Sequence, residues 1–132
     1  MTTTRPRPEA MLKTVILSIF TTFLTTSGQV LWKLGFSKIG GFYVAEQTPF
    51  GNVLRILSSP FILAGFAVYI LATAFFMFLV SKYDISLIVP VSSVSFVFSL
   101  AAGFFIFNEP ISPTRVLGVF IIIFGILMVL RK

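Results

Sequence analysis

The chain has 132 residues, of which 57% are hydrophobic and 11% are charged, and this composition excludes a soluble globular domain because too few polar residues remain to cover one. The net charge of +6 does not indicate nucleic-acid binding, since the basic residues stand singly at the ends of apolar runs, as in membrane anchors that meet lipid phosphates. The absence of Cys and His excludes disulfides, thiolate and imidazole metal sites, and Cys or His nucleophiles, so we expect no metal and no cofactor.

Four apolar runs, taken in chain order, predict an all-α membrane protein, an antiparallel bundle of four transmembrane helices. Residues 1–10 are polar and carry two prolines, which predicts a disordered cytoplasmic tail before a transmembrane domain over residues 11–132. A short amphipathic helix on the membrane surface is expected within the one sizeable loop, over about 52–58, with Asn52 as its cap. The predicted spans cover about 14–35, 60–81, 85–107 and 113–130.

The first span carries a polar seam at helical spacing, formed by Ser18, Thr22, Thr25, Gln29 and Lys33. A helix that is otherwise apolar turns such a seam toward other helices or toward a water-filled path. The hydroxyl groups of the seam are expected to bond to their own helix backbone.

The third span contains Pro90, which predicts a kink that acts as a hinge or as a static bend. Small residues on one face of this span, Ser92, Ser99 and Gly103, predict close approach of another helix. We expect Ser59, followed by Pro60, to cap the second helix, Asp84 to cap the third and Ser112 to cap the fourth.

Basic residues give a weak preference for cytoplasmic termini. Four spans place both termini on one side, and six basic residues then lie there against four on the other side: Arg5, Arg7, Lys13, Lys82, Arg131 and Lys132 against Lys33, Lys38, Arg55 and Arg115. No internal repeat is present, and because alternating access is usually built from two related halves, we expect a dimer to supply the second half.

Three sequence elements resemble the four-helix branch of the drug/metabolite transporter superfamily, the EamA-like and small multidrug resistance proteins. They are Gly28-Gln29-x-x-x-Lys33, Pro90 before a serine-rich helix, and Glu109-Pro110-Ile111-Ser112-Pro113 before a helix with glycines seven residues apart. The pattern is most similar to that of the aminoarabinose–undecaprenyl-phosphate flippase subunits, and the likeness covers nearly all of the chain.

This resemblance implies an inner-membrane transporter that works as a homodimer or heterodimer and moves a polyprenyl-phosphate-linked sugar or a related amphiphile between leaflets. It also implies that Gly118 and Gly125 are dimerisation residues. The drug exporters of the group carry a glutamate in the first helix, and the matching position here is Thr25. No Asp or Glu lies inside any predicted span, which favours the flippase branch.

Several charged residues have two interpretations that the sequence leaves open. Lys33, with Gln29 one turn away, is either a phosphate-binding group or a lysine that reaches the interface. Glu109 is the partner of Lys33, a proton acceptor, or a loop carboxylate near a helix start. Arg55 and Arg115 join Lys33 in a phosphate patch or anchor the chain at the interface. Trp32 is expected in the aromatic belt at a helix end.

The sequence therefore favours a flippase for a phosphate-headed amphiphile, with Lys33 neutralising phosphate and Gln29 orienting the head group. A second hypothesis is an exporter of cationic or polar solutes with Glu109 as its titrating group, and a third is a non-transporting accessory subunit of a membrane glycosyltransferase system. We predict that the protein is not an enzyme, because the spans contain no nucleophile–base arrangement.

Overall fold

The computed structural model describes residues 8–46 and 48–131; 82% of these residues are helical, and none of them is in a strand. The six helices are α1 (Pro8–Ile39), α2 (Pro49–Leu57), α3 (Pro60–Lys82), α4 (Ile85–Ser92), α5 (Ser95–Phe105) and α6 (Pro113–Leu130). Four segments are long and apolar enough to cross a membrane: α1 from Glu9, α3, α4 together with α5, and α6. The predicted number of spans is confirmed.

The first helix is longer than the hydrophobic pattern predicts. It has 32 residues, so at 1.5 Å per residue it is about 48 Å long, against roughly 30 Å of hydrocarbon. Pro8, Glu9 and Ala10 belong to this helix, so the prediction of a disordered tail over residues 1–10 is wrong for them; residues 1–7 lie outside the described part. Glu9 in the first turn complements the helix dipole, which explains a start among polar residues.

Three helices begin at a hydroxyl residue followed by proline. Ser59 precedes α3 and Ser112 precedes α6, as expected, and the Ser112 hydroxyl accepts a hydrogen bond from the Arg115 N–H. The cap of α2 is Thr48, whose hydroxyl accepts from the Gly51 N–H at 3.1 Å. The prediction of Asn52 as this cap is wrong, because the proline at the first position of α2 places the helix start earlier.

The third span is interrupted after Pro90. The N–H of Ser93 donates to the Pro90 carbonyl at 3.0 Å and that of Val94 to the Val91 carbonyl at 3.1 Å. These i→i−3 bonds tighten the chain between α4 and α5, so the interruption lies three residues beyond the proline. Asp84 occupies the cap position of α4, but its side chain accepts no capping hydrogen bond from the backbone of that helix.

The closest packing among the described helices is between α1 and α3, where glycines let the backbones approach. A Cβ at Gly28 would lie 3.0 Å from the Gly65 carbonyl oxygen, and one at Gly35 would lie 3.1 Å from the Ile62 nitrogen. The indole ring of Trp32, one turn further along α1 than Gly28, also lies against Gly65. The last helix, α6, packs mainly against α4 and α5, and Ile126 is the one buried residue among its described residues.

Candidate functional site

Lys33 and Glu109 form an ion pair that joins α1 to the segment after α5. The Lys33 Nζ bonds the Glu109 Oε1, and the same ammonium lies 4.4 Å from the centroid of the Phe107 ring. The side chain of Lys33 is 52% exposed and that of Glu109 is 34% exposed, so both groups remain reachable by a ligand. Of the three interpretations of Glu109 that the sequence leaves open, the structure shows the pairing with Lys33.

The backbone holds Glu109 against the end of α5. Asn108 has a φ of 50°, a left-handed conformation that asparagine tolerates better than most residues, and it turns the chain back on α5. The Glu109 N–H then donates to the Gly103 carbonyl at 2.9 Å. A Cβ at Gly103 would lie 3.0 Å from the Glu109 Oε2. The sequence predicts that another helix approaches Gly103, but in the structure the space beside this glycine is taken by the Glu109 carboxylate.

This ion pair lines an open cavity of about 230 Å³. The cavity wall combines the two charges with the Gln29 amide, the Ser99 hydroxyl, and apolar and small residues of α1, α5 and the segment after α5. We call it the charged cavity. Gln29 lies at its inner end, one helical turn from Lys33, which is where the polar seam of α1 predicted it.

A second cavity of about 350 Å³ continues from Gln29 deeper into the bundle. Its walls bear hydroxyl groups from α1, α3, α4 and α5, and its lining includes no residue with a formal charge; we call it the hydroxyl cavity. The hydroxyl residues that line it are Thr21, Thr22, Thr25, Tyr69, Thr73, Ser92 and Ser95.

Most hydroxyl groups of this cavity already donate to a backbone carbonyl. Thr22 donates to the Ser18 carbonyl at 2.7 Å and Thr25 to the Thr21 carbonyl at 2.9 Å, and three others bond four residues back in the same way: Thr21, Thr73 and Ser92. Because each hydroxyl has one proton, these five oxygens are left as acceptors toward the cavity. The hydroxyl cavity is therefore suited to a group that donates hydrogen bonds.

The expectation of backbone bonding is confirmed for Thr22 and Thr25 and is wrong for Ser18. The Ser18 hydroxyl is buried and has no hydrogen-bond partner among the described residues.

An apolar groove of about 500 Å³ runs beside the charged cavity between α1 and α5. Aromatic and aliphatic side chains line it, among them Phe23, Leu31, Phe98 and Phe105. Thr26, Val30 and Ala102 line both the groove and the charged cavity. A polar and an apolar compartment thus share one wall.

Arg115 and Arg55 occupy different environments. Arg115 lines a cavity of about 340 Å³ together with Ser99, Gly103 and Glu109, so Glu109 separates a cavity bearing Lys33 from one bearing Arg115. Arg55 instead donates from Nη2 to the Gly41 carbonyl at 2.9 Å. The predicted patch of Lys33, Arg55 and Arg115 is therefore divided, and Arg55 of α2 is bonded to the loop after α1.

The predicted packing residues also have mixed outcomes. Ser92 and Ser99 line cavities, and a Cβ at Gly118 or Gly125 would meet no described atom within 4 Å. Trp32 was assigned to the aromatic belt, but its ring lies 5.0 Å from that of Phe66 and 4.9 Å from that of Tyr69, centroid to centroid. Among the described residues no group of three His, Cys, Asp or Glu side chains is placed to hold a metal ion.

Comparisons with known proteins leave the family open. No protein-family model matches the chain, and neither a curated protein nor a solved structure matches it significantly.

Proposed function

We propose that the protein is a flippase or transporter of the inner membrane that moves a phosphate-headed amphiphile, such as a polyprenyl-phosphate-linked sugar, between leaflets. In this proposal the four spans form an antiparallel bundle, both termini are cytoplasmic, and the family is the one that the sequence resembles. The observation that carries the proposal is the wall shared by the charged cavity and the apolar groove. An amphiphile requires both environments side by side, whereas a small polar solute requires only one.

Lys33 is the phosphate-binding group in this mechanism. Its ammonium is already paired with Glu109, so an arriving phosphate takes the place of the carboxylate. Glu109 also lines the cavity that bears Arg115, which offers the displaced carboxylate a second cation. This exchange keeps each charge near an opposite one, which matters because an isolated charge near a membrane interior is costly.

The rest of the ligand follows the chemistry of the other two compartments. The Gln29 amide orients the head group between the charged and hydroxyl cavities, since it lines both. The hydroxyl cavity presents acceptor oxygens, which match the hydroxyl protons of a sugar. The acyl or prenyl tail lies in the apolar groove and extends into lipid.

The test is transbilayer movement of a fluorescent polyprenyl phosphate in liposomes, scored by the fraction that a membrane-impermeant quencher reaches. Lys33→Ala removes a charge-assisted hydrogen bond worth about 1.5–3 kcal/mol, so the rate should fall roughly ten- to hundredfold. Lys33→Arg retains the charge and should retain most of the rate.

Lys38→Ala is the matched control, because Lys38 lies five residues further along α1 and its ammonium is 3.8 Å from the centroid of the Phe61 ring. It should leave the rate unchanged. Equal rates for Lys33→Ala and the unmodified protein would contradict the proposal.

A proton-coupled exporter is the second candidate, and the position of Glu109 in the walls of two cavities favours it. Glu109→Gln separates the two. In an exporter this substitution abolishes uptake driven by a pH gradient, whereas in a flippase polyprenyl phosphate is still retained by the purified protein in native mass spectrometry.

We further propose that the protein acts as a homodimer or as a heterodimer with a similar subunit. A Cβ at Gly118 or Gly125 would meet no described atom within 4 Å, which supports this proposal because small residues allow close helix approach in membranes.

A further inference from the structure

The loop between the first two spans carries a large apolar surface. Six side chains outside the spans are exposed, with relative areas from 53% to 76%. We call them the rim surface: Phe42, Tyr43, Phe50, Val53, Leu54 and Leu57. Four of them lie on α2 at positions i, i+3, i+4 and i+7, which is one face of a helix.

Hydrogen bonds fix the orientation of α2, so this face is constrained to point outward. The Asn52 side chain accepts from the Val44 N–H at 2.9 Å and donates to the Val44 carbonyl at 3.2 Å. Arg55 donates to the Gly41 carbonyl from the same helix. The polar side of α2 is thus bound to the loop, and the apolar side remains uncovered by the described chain.

The covalent chain keeps α2 close to the bilayer. Leu57 ends α2 and Pro60 begins α3, a membrane-spanning helix, so their Cα atoms are at most about 11 Å apart. The interfacial layer on each side of the hydrocarbon is roughly 5–7 Å thick. The apolar surface also continues into the span, since Leu63 and Phe66 of α3 are exposed.

We infer that the rim surface is embedded in the boundary between lipid head groups and acyl chains, with the membrane itself as its occupant. An amphipathic helix in such a position sinks about 5–10 Å below the head groups. The rim surface follows the end of α1 that bears Lys33, so the depth of α2 fixes the depth of that ammonium. The inference stands without the proposed function, because it concerns only where α2 lies.

Single nitroxide labels test this inference, since the chain has no cysteine and each substitution introduces a unique thiol. In liposomes, Val53→Cys and Leu57→Cys labels should collide with oxygen in preference to a water-soluble nickel complex, at a depth of about 5–10 Å. Ile70→Cys, exposed at the middle of α3, is the deep-lipid reference, and Glu46→Cys, exposed in the loop, is the water reference. The oxygen preference should rank Ile70 first, then Val53 and Leu57, then Glu46.

Two results would overturn the inference. If the labels on α2 match the Glu46 label, α2 lies in water. If they are shielded from both oxygen and nickel, protein covers the rim surface, either a second copy or a contaminating partner. Far-UV circular dichroism of each labelled variant shows that the helices are retained.

Discussion

Helices α1 and α6 both carry two glycines seven residues apart, and the structure uses them differently. In α1, Gly28 and Gly35 contact α3 so closely that a methyl group at either position would press on Gly65 or Ile62. In α6, a methyl group at Gly118 or Gly125 would meet no described atom within 4 Å. The spacing therefore predicts a flat strip on a helix, but it does not predict what packs against that strip. We call the strip of Gly28 and Gly35 the filled strip and the strip of Gly118 and Gly125 the open strip.

The largest expected loss of stability is for a substitution on α3, at the residue that packs against the filled strip. Gly65→Ala places a methyl group against the rigid Trp32 ring and 2.9 Å from the Gly28 carbonyl oxygen, so it should destabilise the fold by about 1–3 kcal/mol. Unfolding in mixed micelles, followed by the fluorescence of the single tryptophan, measures this loss. Gly125→Ala has open space and should leave the unfolding free energy within about 0.5 kcal/mol. Equal changes in the free energy of unfolding for the two substitutions would show that the two strips do not differ in how closely they are packed.

The open strip is tested by cross-linking in membranes. If a second copy covers it, Gly118→Cys and Gly125→Cys should each form an intermolecular disulfide on oxidation, because symmetric contact brings the two Cα atoms to within about 7 Å. Phe120→Cys, exposed at a different angle of α6, should not. Cross-linking at position 120 alone would place the dimer contact on another face.

A smaller effect is expected at the start of α6. Ser112→Ala removes a cap whose bond to the Arg115 N–H is 3.4 Å long, so the cost should be at the low end of the cap range, about 0.5–1 kcal/mol. Because α6 has few contacts with the rest of the bundle, faster hydrogen exchange should be confined to its first turn. Faster exchange in α3 as well would mean that α6 is coupled to the α1–α3 pair.

The smallest effect on stability is expected for the ion pair. Lys33 and Glu109 are partly exposed, and such pairs contribute about 0.2–1 kcal/mol in a double-mutant cycle. Lys33→Met and Glu109→Gln, alone and together, measure this coupling by unfolding. A coupling well above 1 kcal/mol would assign the pair a mainly structural role, in contrast to the transport role proposed for Lys33.

Helix starts were the most predictable part of the fold. Proline is suited to the first turn of a helix, and a preceding hydroxyl accepts a hydrogen bond from a free backbone N–H. Ser59-Pro60 and Ser112-Pro113 therefore predict the starts of α3 and α6. Thr48-Pro49 is the same kind of dipeptide and predicts the start of α2 correctly, whereas Asn52 does not. The ends of α1 were not predictable from hydropathy, because hydropathy measures the part of a helix that lies in lipid and α1 extends beyond it.

The site was predictable in its members but not in its geometry. The seam from Ser18 to Lys33 follows from helical periodicity alone. The pairing of Lys33 with Glu109, 76 residues away, is one of three interpretations that the sequence leaves open, because it depends on how the intervening helices α2 to α5 pack. The contact of the Trp32 ring with Gly65 of α3 was not predictable for a related reason: it depends on how two helices pack, which the position of a tryptophan along one helix does not indicate.

The separation of Lys33 from Glu109 also bears on how the protein is made. At a synthesis rate of 5–20 residues per second, the carboxylate emerges roughly 4–15 s after the ammonium. A nascent chain with two or three spans inserted thus holds a lysine without this partner at the rim of its first helix. A chain truncated before residue 109 remains in that state, because the only carboxylate that pairs with Lys33 among the described residues is absent from it.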